Sequence, residues 1–347
     1  MIDRRAALLA LLGLVGCVVG LVLVPRDALA AWLVCWLAWG AIPLGALGLT
    51  MMLALVPGSW RDLYAAPLSL AAGLVPLVAV LALPLLLGAR LIYPWADPAV
   101  AATLPSFKAA WLSTPVFAIR EIVILAVLSG LSWLLLTAEG GVRSAIAGIG
   151  LVLYALLASI VGIDFGESTE PHFHSSIYGL LALTSQWLEA VAFGILLGLR
   201  TGERRVSIAA AGVLATAILL WGYMHAMQYI VIWSANIPAE AHWYIERGAG
   251  AWRAIGWAGF AFQAILPFVA LLTPAVRTNS RRMMVVAAAI LVAAPLQQPW
   301  MILPGLEGLS LAALPLMIAA SAAMLGLAWA VTGLRGPRSR KFLTQPQ

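Results

Sequence analysis

Ile163-Asp164-Phe165-Gly166-Glu167-Ser168-Thr169-Glu170-Pro171-His172-Phe173-His174-Ser175-Ser176-Ile177-Tyr178 separates two apolar runs, residues 144–163 and 177–199. Each run has about 20 residues, the length at which an α-helix crosses roughly 30 Å of hydrocarbon. Between them, three carboxylates and two imidazoles fall within positions 164 to 174. A segment so polar cannot lie in lipid, so the unit reads as two membrane helices joined by a structured loop. A second stretch, Tyr223-Met224-His225-Ala226-Met227-Gln228-Tyr229 followed by Trp233-Ser234-Ala235-Asn236-Ile237-Pro238, has a similar character. The expectation is that the two stretches meet on one side of a helical bundle.

Working outward, the 347 residues are 63% hydrophobic and 10% charged, with mean hydropathy +1.00. A soluble domain of that composition would have to build its surface from apolar side chains, so the chain is an all-α polytopic membrane protein. Ten spans are expected, near 6–24, 29–56, 66–88, 115–137, 144–163, 177–199, 206–235, 252–274, 283–303 and 311–334, forming one integral membrane domain over 1–347. Pro43, Pro84, Pro267 and Pro295 fall inside spans and should kink them. No internal repeat is legible in the letters.

The net charge of +6 does not indicate a nucleic-acid partner, because the basic residues lie in short connections between spans. Fourteen Lys and Arg fall on the side shared by the termini and five on the other, with Arg120 within a span. The positive-inside rule then places both termini in the cytoplasm and the 164–176 loop in the periplasm of a bacterial inner membrane. The basic run Arg335 to Lys341 reads as a lipid-facing cytoplasmic tail. Arg4-Arg5 with Ala28-Leu29-Ala30 resembles a cleavable signal, and Leu14-Val15-Gly16-Cys17 a lipoprotein site. The first span is kept as a helix. Residues 89–114, with Tyr93, Trp95 and Trp111, suggest a segment lying in the membrane interface.

Cys17 and Cys35 have no metal-ligand spacing and read as packing residues; no haem, iron–sulfur or zinc ligand set can be assembled. Ionisable groups within spans are the functional candidates. With a rise of roughly 1.5 Å per residue, Arg120 and Glu121 lie about 7–9 Å deep, His225 about 15 Å and Glu189 about 18 Å. Gln263 lies near the same middle level, and Asp164 sits at the mouth of span five. The other half of the membrane holds no ionisable group within a span. The pattern is a half-channel.

Trp221, His225, Gln228, Tyr229 and Ile232 follow the spacing of one helix face. That face can hold a quinone carbonyl and move its proton, or serve as interhelical hydrogen-bond glue. Arg120 is expected to pair with Asp164 or Glu170. Glu189 either carries a proton or pairs with His225. Glu167, Glu170, His172 and His174 read as a partner surface or loop cap ahead of a metal cluster, and Trp243 and Arg247 as docking or anchoring residues.

With these residues in view, the chain resembles the ActF-type membrane subunit of alternative complex III, in the polysulfide-reductase-like (NrfD-type) family. The resemblance rests on Asp164 to Tyr178 with its Glu-Pro-His and Ser-Ser-Ile-Tyr-Gly, and on Ser59-Trp60, Tyr93-Pro94-Trp95-Ala96, Gln228-Tyr229, Trp233 to Pro238, Trp243-Tyr244 and Arg247. Phe165 and His174 depart from the pattern, and the chain is short for that subunit. The resemblance implies two four-helix bundles, spans two to five and six to nine, with flanking helices. It implies a non-redox subunit of a quinol:electron-acceptor oxidoreductase. Haem and iron–sulfur clusters would sit on partners: a multihaem cytochrome, an iron–sulfur subunit and a second NrfD-type membrane subunit. The alternatives are that this chain itself holds the quinol, or that it is a secondary transporter. The transporter ranks last because it predicts a repeat.

Overall fold

The computed structural model describes residues 3–200, 208–306 and 308–334. Arg204, Arg205 and the run Arg335 to Lys341 lie outside the described residues. Ten described helices are long and apolar enough to cross a membrane. They are α1 (Arg4–Leu23), α2 (Pro25–Leu55), α3 (Arg61–Leu87), α4 (Thr114–Thr137), α5 (Gly140–Thr169), α6 (Tyr178–Arg200), α7 (Ile208–Ala235), α8 (Gly250–Leu272), α9 (Ser280–Gly305) and α10 (Ala313–Gly333). No strand occurs among the described residues. Helices are the form in which a span bonds its own amides in hydrocarbon. The expected spans match in number and order. The chief shift is in α5, whose α-helix runs to Phe165 and continues as a 3-10 turn over Glu167–Thr169. Half of the polar stretch is therefore helical, with the Ser168 hydroxyl donating back to the Asp164 carbonyl.

Helix α2 packs on α3 and α5, α3 on α4, and α4 on α5; α6 packs on α7 and α9, α7 on α8, and α8 on α9. These are two four-helix bundles with the same connectivity, and helices four apart run in the same direction. The order of helix contacts thus repeats, in parallel, from one bundle to the next, which was not legible in the letters. A repeat of this kind is what secondary transport predicts. The bundles meet where α2 crosses α6. There Gly45 lies against the Gln186 carbonyl and the Ala190 methyl, so closely that a Cβ would not fit. Helices α1 and α10 pair with each other and lean on α2, with Gly13 against the α10 backbone and Gly326 against Ala10. Close approach through small residues is how membrane helices gain contact without a hydrophobic drive between them.

Proline acts unevenly. Pro43 and Pro295 lie inside helices that continue without a break. Helix α3 is interrupted at Gly73–Leu74 and at Ala82, just before Pro76 and Pro84. Helix α8 widens into a π segment over Ala261–Ile265 ahead of Pro267. Pro267 has no N–H for the carbonyl four residues back, that of Gln263, and the wider turn accommodates its ring.

The connections after α3, α5, α7 and α9 gather on one face, termed the loop face. Tyr93 donates to the Phe165 carbonyl at 3.3 Å, and Phe173 stacks on Trp243 at 5.1 Å. Trp300 donates to the Arg247 carbonyl at 3.2 Å. Residues 89–113 are not an interface anchor throughout. They form short helical pieces, and Tyr93 and Trp95 are buried, stacked on each other and packed on Phe117. The aromatic bodies seal the first bundle while their polar tips reach Phe165 and Ser168. Cys35 is buried and donates to the Met317 carbonyl at 3.2 Å.

Candidate functional site

At the loop end of the first bundle, Arg120 Nε donates to Asp164 Oδ2 at 2.6 Å. Arg120 Nη1 donates to the Trp111 carbonyl at 2.9 Å, and the guanidinium lies 4.0 Å from the centre of the Trp111 ring. Trp111 also donates from Nε1 to Asp164 Oδ1 at 3.2 Å. Of the two expected partners, Arg120 therefore takes Asp164, which is fully buried at the end of the α-helical part of α5. Glu121 is also fully buried and turns toward Asp164, with no donor to either of its oxygens. Two carboxyls therefore lie near one guanidinium, and only Asp164 is bonded to it.

The second ion pair spans the loop. Arg247 donates through Nη2 to Glu170 Oε1 and, at 2.8 Å, to the Met301 carbonyl; Nη1 donates to the Trp243 carbonyl at 3.0 Å. The guanidinium lies 3.7 Å from the centre of the Trp243 ring. Trp243 and Arg247 are 2% and 1% exposed, so within this chain they brace the loop against α9 and offer no docking surface. Burial pushes the Glu170 carboxyl up and the Arg247 guanidinium down from their ordinary ranges, and each opposes the other's shift. Glu167 also turns inward, accepting from the Ser175 amide at 3.1 Å. His172 and His174 are the exposed members of the group. His172 Nε2 lies 3.5 Å from Thr103 Oγ1, and His174 Nδ1 lies 2.8 Å from Lys108 Nζ. The imidazoles thus turn to different neighbours. Burial lowers the Lys108 ammonium from its ordinary value. No cluster of three His, Cys, Asp or Glu able to hold a metal occurs among the described residues.

Within the second bundle, His225 is enclosed by Trp221 at 4.2 Å and Phe260 at 4.9 Å between ring centres. Gln297 Nε2 donates to its Nε2 at 2.9 Å, which places the ring proton on Nδ1. The expected pairing of Glu189 with His225 is not made. Trp221, Gln228 and Ile232 share the buried face with His225, whereas Tyr229 turns outward, 45% exposed, and stacks on Trp233. Gln228 joins the two stretches as expected: Ser175 donates to its Oε1 at 3.1 Å, and its Nε2 donates to Tyr244 at 3.4 Å.

Two deeper groups keep unbonded oxygens. Glu189 is 1% exposed with neither carboxyl oxygen bonded, and Gln263, also 1% exposed, leaves Oε1 unbonded in the π segment of α8. Sequence reasoning missed Gln186, Gln297, Gln298 and Tyr154. Tyr154 donates to Gln186 Oε1 at 2.9 Å, tying α5 to α6. Gln297-Gln298 between Pro295 and Pro299 was the available signal, a pair of amides inside an apolar span. A cavity of about 40 Å³ lies where α2, α5, α6 and α9 meet, its lining mostly apolar with polar side chains from Tyr178, Ser185, Gln186, Gln297 and Gln298. No protein-family model matches the chain, and a comparison with curated proteins finds no match. What is shown is therefore a multi-pass helical membrane architecture with a partly unpaired polar interior.

Proposed function

We propose that the chain is a membrane subunit of a quinol:electron-acceptor oxidoreductase of the alternative complex III kind. It gives the complex a scaffold and a proton half-channel from the loop face to the middle of the membrane. The observation that carries the half-channel is Glu189. A carboxyl buried at mid-span with no donor and no cation costs several kcal/mol when charged, and such intramembrane groups are retained where protons or ions move. The subunit assignment is supported by the ordered motifs from Ser59-Trp60 to Arg247 and by the paired four-helix bundles. Redox cofactors belong on partners in this reading: a multihaem cytochrome, an iron–sulfur protein and a second NrfD-type subunit. The Lys and Arg bias puts the loop face in the periplasm of a bacterial inner membrane.

Quinol binding by this chain is the weaker alternative, because the imidazole that would meet a head group is boxed by Trp221, Phe260 and Gln297. Secondary transport gains from the parallel repeat and the π segment at Gln263. Purification of the tagged protein in mild detergent, with mass spectrometry and haem spectra, separates these readings. Co-purifying multihaem cytochrome and iron–sulfur protein is the expected result. A homogeneous lone protein overturns the subunit reading and favours transport.

A further inference from the structure

The half-channel needs a route, and two are available from the loop face. One runs inside the second bundle through Gln228 and His225. The other is the cavity between the bundles. The bundle route is closed by rings, with Trp221, His225 and Phe260 in mutual contact. The cavity has about 40 Å³. A water needs about 10–15 Å³ of such volume and two to four polar partners, so the space takes two or three waters. It is far below the roughly 300 Å³ at which ligand pockets begin, so it does not take a quinone head group.

The cavity starts at Gly166, Tyr178 and Met301 near the loop face and reaches inward to Leu44, Gln186 and Gln297. Glu189 follows Ser185 and Gln186 by four and three residues on α6, so it lies on the same face, about 5 Å beyond the cavity floor. Side chains on a helix lean toward its N-terminus, and α6 begins at the loop face, so the Glu189 carboxyl leans toward that floor. Gln186 and Gln297 are each held from the far side, by Tyr154 and by His225.

We infer that this inter-bundle cavity is a hydrated inlet through which Glu189 exchanges a proton with water on the loop face. Hydronium at the mouth passes its proton along the waters to the carboxylate, giving a carboxylic acid and water, and the reverse step returns it. The inference rests on the half-channel reading and names its route and inner end.

Infrared spectroscopy of the full chain in nanodiscs tests it. The protonated Glu189 carbonyl stretch is identified by its loss in Glu189→Gln, and its shift is followed after transfer into D2O. Rapid exchange is expected in the native protein. Ala41→Leu, which fills the cavity wall, and Gln298→Leu, which dries it, are each expected to slow exchange by at least about 10-fold. Gln228→Leu should leave it unchanged. Either cavity variant alone suffices if the other does not fold. Exchange unaffected by cavity variants overturns the inlet while leaving a half-channel in place, and slowing by Gln228→Leu instead moves the route into the second bundle. A native protein with no exchanging Glu189 band at any pH where it stays folded overturns both the inlet and the half-channel. Co-purification decides the subunit reading separately.

Discussion

Arg120 and Arg247 are built alike. Each guanidinium lies over a tryptophan ring, donates to that tryptophan's own carbonyl, and reaches a carboxylate from the end of α5 or the loop after it. They differ in what else is present. Arg247 adds the Met301 carbonyl and so ties the loop to α9, while Arg120 shares its acid with a second buried carboxyl, Glu121. The first site closes a bundle and the second clamps a loop across it. The difference shows that charge on the loop face is structural wherever it is paired. Function is therefore to be sought at the acids left without a cation.

The largest effect is expected from Asp164→Ala. It removes the acid that Arg120 donates to and leaves only the unbonded Glu121 near a buried cation, and breaking such a pair costs up to about 3–5 kcal/mol, read as a fall in unfolding temperature in detergent. Replacing both partners with apolar residues (Arg120→Met with Asp164→Leu) should recover most of that loss, because a buried pair is worth little more than good packing. A single variant as stable as the native protein would show that Arg120 does not need its bond to Asp164.

Glu170→Gln should cost less, about 1–3 kcal/mol, since Arg247 keeps two backbone carbonyls and the Glu170 side chain is 17% exposed. A greater cost than that of Asp164→Asn, measured in the same detergent, would reverse the ranking of the two sites. Glu189→Gln removes no hydrogen bond and should change stability by less than about 1 kcal/mol. It should nevertheless lower any proton-coupled turnover of the assembled complex by about 10-fold or more. Undiminished coupling would remove Glu189 from the path.

The smallest effect concerns Lys108. Burial lowers its folded-state value from 10.5, so between the lowered value and 10.5 the unfolded chain binds more protons. Stability should therefore rise with pH through that window and be flat below it. Lys108→Met should flatten the profile, and an unchanged slope in unfolding temperature against pH would assign it to another group.

Some of this was legible in the letters because it depends on local rules. A run of about 20 apolar residues must be helical in lipid whatever its neighbours, so the number and order of spans followed from composition. Charges inside spans stand out because they are costly, which singled out Arg120, Glu121, Glu189 and His225. Contacts between helices obey no such local rule. Whether Trp243 and Arg247 face a partner or the chain's own α9 depends on how a loop folds back over some 50 residues of sequence separation. The repeat of the two bundles lies in connectivity, with no trace in the residues. The pairing of Gln297 with His225 and of Gln186 with Tyr154 likewise came only from packing, since which donor an amide meets depends on the neighbouring helix. The sequence by itself determined that polar groups run from one face to mid-membrane. Tertiary structure alone decided which of them are satisfied, because a hydrogen bond between spans exists only where two helices place donor and acceptor within about 3 Å.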